Sequence, residues 1–422
     1  MLFQSRTAQR AIPDRTASGP AVSITDAERP AANGRRDLRL DFFRGLALFF
    51  IFVDHIPENT LSLLTLSTFG FSDAAEIFIF ISGYTAALVY GRAMLRTGPL
   101  FSTAQIFRRV WQLYVAHIFL FVIFTAEVSY IVERFNNPMY NDELRVGDFL
   151  AEPHVAIIKA LLLQFQPTFL DILPLYIVLL AIFPLVLLAQ RVHVLLPLGP
   201  SFVLYALVGW LGFSVHGYPA GHVWFFNPFA WQFLFVIGAT MGYAEIAHRV
   251  ILPQGGKFFA TAVILLAVAT IIKVSWTIHD VYDPVPALFL KQLWPMNKSN
   301  LAPLRLAQFL ILAYVVARLI PPSSSMLRSA FARPVITCGQ HSLQIFCLSI
   351  LLSLLGHFVL TEWRPDILAQ LLVTAGGIAV MIGTAKLLSW YKELDRMASM
   401  PSPAAGAGKP GAGRRHLEPG SA

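Results

Sequence analysis

Cysteine is scarce in this 422-residue chain, with only Cys338 and Cys347 present. Nine residues apart on a predicted helix, they lie about 13 Å apart along its axis, too far for a disulfide. They read as core or lipid-buried thiols. Charge is scarce too: charged residues make up 13% of the chain, against about 25% in soluble proteins. Metal-ligand spacing is missing among His216, His222, His279 and His341, and neither a phosphate loop nor a G-x-S-x-G elbow occurs. No metal is expected. The net charge of +8 comes without a recognisable nucleic-acid module, and its basic residues cluster in the tails and in short connections between apolar runs. It reads as topology information, and nucleic acid is excluded as a partner.

What the chain has is apolar surface. Hydrophobic residues reach 56%, with 34 Phe, and the mean hydropathy is +0.62. The fold class that follows is all-α: a polytopic membrane helix bundle of about ten transmembrane helices with a short interfacial or re-entrant helix. At about 20 residues per span, apolar segments fall near 40–57, 74–91, 106–132, 172–190, 194–213, 229–247, 257–276, 303–320, 338–360 and 367–390. Ala156 to Phe165 is too short to cross and carries Lys159, so it is the interfacial or re-entrant element. Residues 1–37 read as a mobile tail, 38–392 as the membrane domain and 393–422 as a second, Pro/Gly/Ala-rich tail. The Arg35-Arg36 pair mimics an export signal, but Asp41 and Arg44 inside the run that follows predict an uncleaved first span. Arg92, Arg96, Arg108, Arg109 and Arg191 lie on one set of connections. Asp73, Asp142, Glu143, Asp171 and Asp280 lie on the other. The positive-inside rule then places both termini in the cytoplasm and the lipid bilayer around the bundle.

The stretch RRDLRLDFFRGLALFFIFVDHIP, Arg35 to Pro57, puts Asp41, Arg44, Asp54 and His55 into an otherwise apolar helix. Eleven residues separate Arg44 from His55, so at 3.6 residues per turn the two share a face and lie about 16 Å apart along the axis. Arg44 is expected at the membrane edge, with the imidazole deeper. A neutral imidazole there is a general base near pH 7, the plainer alternative being a helix-end histidine bonded to a carbonyl. Glu76, at the matching end of the second span, is the candidate partner to orient the ring, or else simply an acid at a helix N-terminus. Asp54 is the competitor, but neighbours on a helix point about 100° apart, so it is not expected to face the cavity of His55. Arg44 is placed to meet an anionic ligand or to pair with Asp41. Arg108 and Arg109 form a basic cluster, read either as positive-inside bias or as capture of a polyanion. Ser82 and Gly83 permit close helix packing or leave room for a thin ligand arm. Lys298 and Arg305 bind an acidic acyl group or snorkel to the interface.

LDFFRGLALFFIFVDH closely resembles the first span of transmembrane acyltransferases, and EIFIFISGY resembles the second. Together with WFFNPFAWQFLFVIGA (Trp224 to Ala239) and GQHSLQIFCLS (Gly339 to Ser349), the pattern is most similar to the OpgC-type proteins of that superfamily. The resemblance spans about residues 37 to 390. It implies transfer of an acyl group, succinyl in the OpgC type, from cytoplasmic acyl-CoA to a hydroxyl of a periplasmic glucan, in the bacterial inner membrane. It places His55 at the catalytic position, as general base for direct attack or as a transient acyl carrier, with Arg44 at the matched basic one. Glu76 stands where many relatives have Asp. The Arg-x-x-Arg pattern of some relatives is incomplete, since Gln112 follows Arg109 by three residues. Two other classes stay open: a proton-coupled transporter or flippase using the same ionisable residues, and a non-catalytic partner of glycan-modifying machinery. Oligomeric state is not legible.

Overall fold

The computed structural model describes residues 37–135, 140, 143–250, 252–277, 296–363 and 365–398. Of the expected tails, 1–37 and 393–422, residues 1–36 and 399–422 lie outside them, while 393–398 are helical. Among the described residues the regular structure is helical, apart from one bridge between His216 and Val223.

Twelve helices carry the architecture: α1 (Leu38–Asp54), α2 (Ala74–Thr97), α3 (Pro99–Phe135), α4 (Pro153–Leu161), α5 (Ile172–Val192), α6 (Leu198–Leu211), α7 (Pro228–Ile246), α8 (Gly256–Thr277), α9 (Pro303–Leu319), α10 (Ala332–Gln340), α11 (Ser342–Glu362) and α12 (Ile367–Ala398). Every expected apolar segment is helical. Seven of these helices, α2, α3, α5, α7, α8, α11 and α12, are long and apolar enough to cross a membrane. Of the five others, α1, α6 and α9 fall in expected spans but are shorter. α1 and α9 have 17 residues each and α6 has 14, so they rise about 20–26 Å against a hydrocarbon layer of about 30 Å. The short α4 matches the expected non-crossing element but starts earlier, because Pro153 fits the first helical turn.

Several boundaries shift by a few residues, and two differences change the architecture. The segment at 338–360 is two helices, broken at His341, whose Nε2 lies 2.9 Å from Ser389 Oγ on α12. The last span continues past Trp390 to Ala398, since the helix-favouring KELDRMA follows it and Arg396 pairs with Glu393 at 3.7 Å.

Small residues set the closest helix contacts. A Cβ on Gly83 of α2 would strike the Phe235 carbonyl of α7, and one on Gly238 of α7 would strike the Phe80 carbonyl of α2. Gly45 of α1 and Gly339 of α10 meet the Val335 and Asp41 carbonyls in the same way. Such approach lets backbones pack where lipid supplies no hydrophobic drive between helices. The large apolar side chains left exposed, such as Trp111, Phe119, Ile264, Ile271 and Leu372, form surface suited to acyl chains. Cys338 is buried and Cys347 half-buried, both free.

Candidate active site

One end of the bundle gathers the end of α1 and the starts of α2, α5, α7 and α9. α1 stops at Asp54, so His55 sits just beyond the helix, its N–H still donating to the Ile51 carbonyl at 3.1 Å. The imidazole is therefore at the helix terminus and not within the helix, as the eleven-residue spacing assumed. Its Nδ1 is buried with no hydrogen-bond partner among the described residues. Its ring lies against that of Phe169 in a tilted contact, with centroids 4.5 Å apart and planes at 57°.

Two cavities meet at this ring. A loop-lined one of about 490 Å³ is bounded by Arg145, Gln164, Gln166, Tyr218, Trp224 and others. A helix-lined one of about 340 Å³ is bounded by Ile51, Asp54, Ala75, Ile172 and Phe346, among others. Asp54 and His55 line the same cavity, contrary to the angular argument. The helix ends between them, so its 100° step no longer separates them. Asp54 Oδ1 accepts from Thr65 Oγ1 at 2.7 Å, and Thr65 Oγ1 is 2.8 Å from Ser67 Oγ.

Beside the cavities lies a four-charge cluster. Asp73 caps α2, accepting from Ala75 N–H at 2.8 Å, while Glu76 reaches back to the Asp73 N–H at 2.9 Å, a reciprocal capping box. Arg305 of α9 binds both acids: Nε to Glu76 Oε1 at 2.6 Å and Nη2 to Asp73 Oδ2 at 3.0 Å. Lys298 Nζ stands 2.7 Å from Asp73 Oδ2 and over the Phe226 ring at 5.6 Å. The indole N–H of Trp231, at 3.1 Å from the Lys298 carbonyl, ties that loop to α7. Burial opposes the charge on Asp73, but Lys298 and Arg305 outweigh it and hold the carboxyl well below its usual range. Burial also opposes the charge on Lys298, yet Asp73 and Glu76 raise its pKa. Asp171, just before α5, is pushed up to about 6 by burial, with Lys298 opposing.

The expected Glu76–His55 pair is replaced by Glu76–Arg305. A fully buried carboxylate needs a cation, and α9 supplies one that no spacing within the first two spans reveals. Lys298 lines both cavities; Arg305 does not line them, and both cations are matched by Asp73 and Glu76. Arg44 lies away from this end, its Nη2 donating to Thr85 Oγ1 at 2.7 Å. Ser82 is buried, and Gly83 lies against Phe235, as close helix packing requires. Arg108 is exposed, and Arg109 donates to Gln112 at 3.2 Å. Neither reaches the cavities. The sequence reading missed Asp73, Phe169, Asp171 and Phe226 as cavity residues. Only Asp73 had a local signal, the D-x-x-E capping box.

A family model described as OpgC protein matches residues 36–393, from the start of α1 to within α12. The chain belongs to the OpgC family. No curated protein and no solved structure matches it. OpgC membership suggests a glucan-modifying, acyltransferase-type role for the bundle, and the apolar helices make this OpgC protein a membrane protein. Its matched region contains every residue of the two cavities.

Proposed function

We propose that this OpgC-family protein transfers an acyl group, succinyl in the first instance, from acyl-CoA to a hydroxyl of a periplasmic glucan, with His55 as general base. The observation that carries the reading is an imidazole at the junction of two cavities, one lined by loops and one by helices. A thioester is already activated, so catalysis needs a base and a geometry that brings donor and acceptor together. The hydroxyl oxygen attacks the acyl carbon while its proton passes to His55. The carbon–sulfur bond then breaks, and CoA leaves as the thiol with that proton.

Four further points belong to the proposal. The bundle lies in the bacterial inner membrane with both termini cytoplasmic, as the arginine distribution favours. Arg44, Arg108 and Arg109 are offered to the CoA phosphates on the cytoplasmic side. The glucan enters the loop-lined cavity, whose Trp224 and Tyr218 suit sugar faces. Lys298, with Arg305 behind it, positions charge beside the imidazole, and Glu76 acts through Arg305.

The test is the purified chain in nanodiscs with labelled succinyl-CoA and periplasmic glucan. Label should move to the glucan, and His55→Ala should lower the rate by about 100-fold or more. Full transfer by the folded His55→Ala variant rejects the assigned role.

A further inference from the structure

Five residues line both cavities: His55, Phe169, Asp171, Phe226 and Lys298. Phe169 is the one whose ring lies against the imidazole, tilted by 57°. It also has a left-handed backbone, at φ 75. A residue with a Cβ reaches that region rarely, and an aromatic one stays there only when its surroundings over-determine it.

The loop before α5 supplies those surroundings. Thr168 donates through its N–H to the Leu144 carbonyl at 3.2 Å and through Oγ1 to the Glu143 carbonyl at 2.7 Å. The Leu170 N–H closes back on the Pro167 carbonyl at 3.1 Å. At the other end Leu163 is also left-handed, at φ 60. There the Gln164 side chain accepts from Lys159 Nζ at 3.0 Å, and its carbonyl accepts from the Tyr218 N–H at 2.9 Å. A loop pinned at both ends and strained twice thus aims one aromatic ring at His55.

We propose that Phe169 is an aromatic partition between the two cavities. Its ring covers the imidazole, lets each cavity reach His55, and keeps the water of the loop-lined side out of the helix-lined side. The chemical consequence rests on the acyl-transfer reading above: Phe169 sets the ratio of transfer to hydrolysis. Without the ring, water attacks the acyl carbon in place of the sugar hydroxyl. His55 takes the water's proton, the carbon–sulfur bond breaks, and free acid and CoA thiol result.

Accessibility is measured first, independently of turnover, on the full chain in nanodiscs with Cys338→Ser and Cys347→Ser. A charged maleimide is applied to Ala75→Cys, which reports on the helix-lined cavity, and to Val223→Cys, which reports on the loop-lined one. Phe169→Ala should speed labelling at Ala75→Cys by about tenfold and leave Val223→Cys unchanged, while Phe169→Leu, which keeps an apolar plug, should stay near the parent. Unchanged labelling of Ala75→Cys in the Phe169→Ala background overturns the partition. The same variants are then given succinyl-CoA, and thiol release is followed with and without glucan. Phe169→Ala should raise acceptor-independent release by about tenfold and lower acylated glucan per thiol released. An unchanged ratio overturns the role in selecting acceptor over water. If the parent releases no thiol while labelling behaves as stated, the acyl-transfer reading fails and the partition stands.

Discussion

Replacing Arg305 by Met places a number on the charge cluster beside the cavities. The Arg305 side chain is 10% exposed and that of Glu76 0%, so neither charge has much water to fall back on. Four charges, Asp73, Glu76, Lys298 and Arg305, sum to zero; Arg305→Met leaves one negative charge in excess. Glu76 keeps only the Asp73 N–H at 2.9 Å, and Asp73 keeps Lys298 at 2.7 Å. Breaking a buried pair from one side costs about 3–5 kcal/mol. Glu76→Gln is milder, at about 1–2 kcal/mol, because an amide oxygen still accepts from Arg305 and Arg305 keeps Asp73. The double variant carries no excess charge and should cost less than the sum, with a coupling of about 2 kcal/mol or more. Equilibrium unfolding in mixed micelles reads all three. Arg305→Met within about 0.5 kcal/mol of the parent, the level of an ordinary surface change, refutes the buried-pair reasoning.

Gly83→Ala forces a Cβ onto the Phe235 carbonyl and should cost about 1–3 kcal/mol in the same micelle assay; parental stability with lost transfer would instead favour a ligand path at Gly83. Asp171 has a folded pKa of about 6 against an ordinary 3.8. Its contribution to stability therefore falls as pH rises from about 4 through 6 and levels off above. Asp171→Asn should flatten that part of the stability–pH profile, and an identical slope in both proteins shows that Asp171 is not held in its neutral form.

The charge cluster shows where local reading succeeds. Asp73 and Glu76 are three residues apart at the start of an apolar run, so their mutual capping follows from chain geometry alone. Arg305 is 229 positions from Glu76 in sequence, and nothing near either residue marks the other. His55 shows both sides. An ionisable ring closing an apolar helix was visible as an anomaly, but its neighbour Phe169 comes from a loop whose direction depends on bonds to residues 143, 144 and 218.

Composition and apolar period by themselves determined the helical, membrane-spanning class, because burial of backbone polar groups in lipid leaves a helix as the solution for each such run. They also singled out His55, since an imidazole amid apolar residues demands a reason. Which groups stand beside that imidazole was decided only in three dimensions. Glu76 was claimed by Arg305, Asp54 came round into the cavity as α1 ended, and Phe169 came to lie against the ring. Each outcome depends on helix ends and loops meeting across long separations, and the energies that choose among such partners belong to the assembled bundle, not to any one segment.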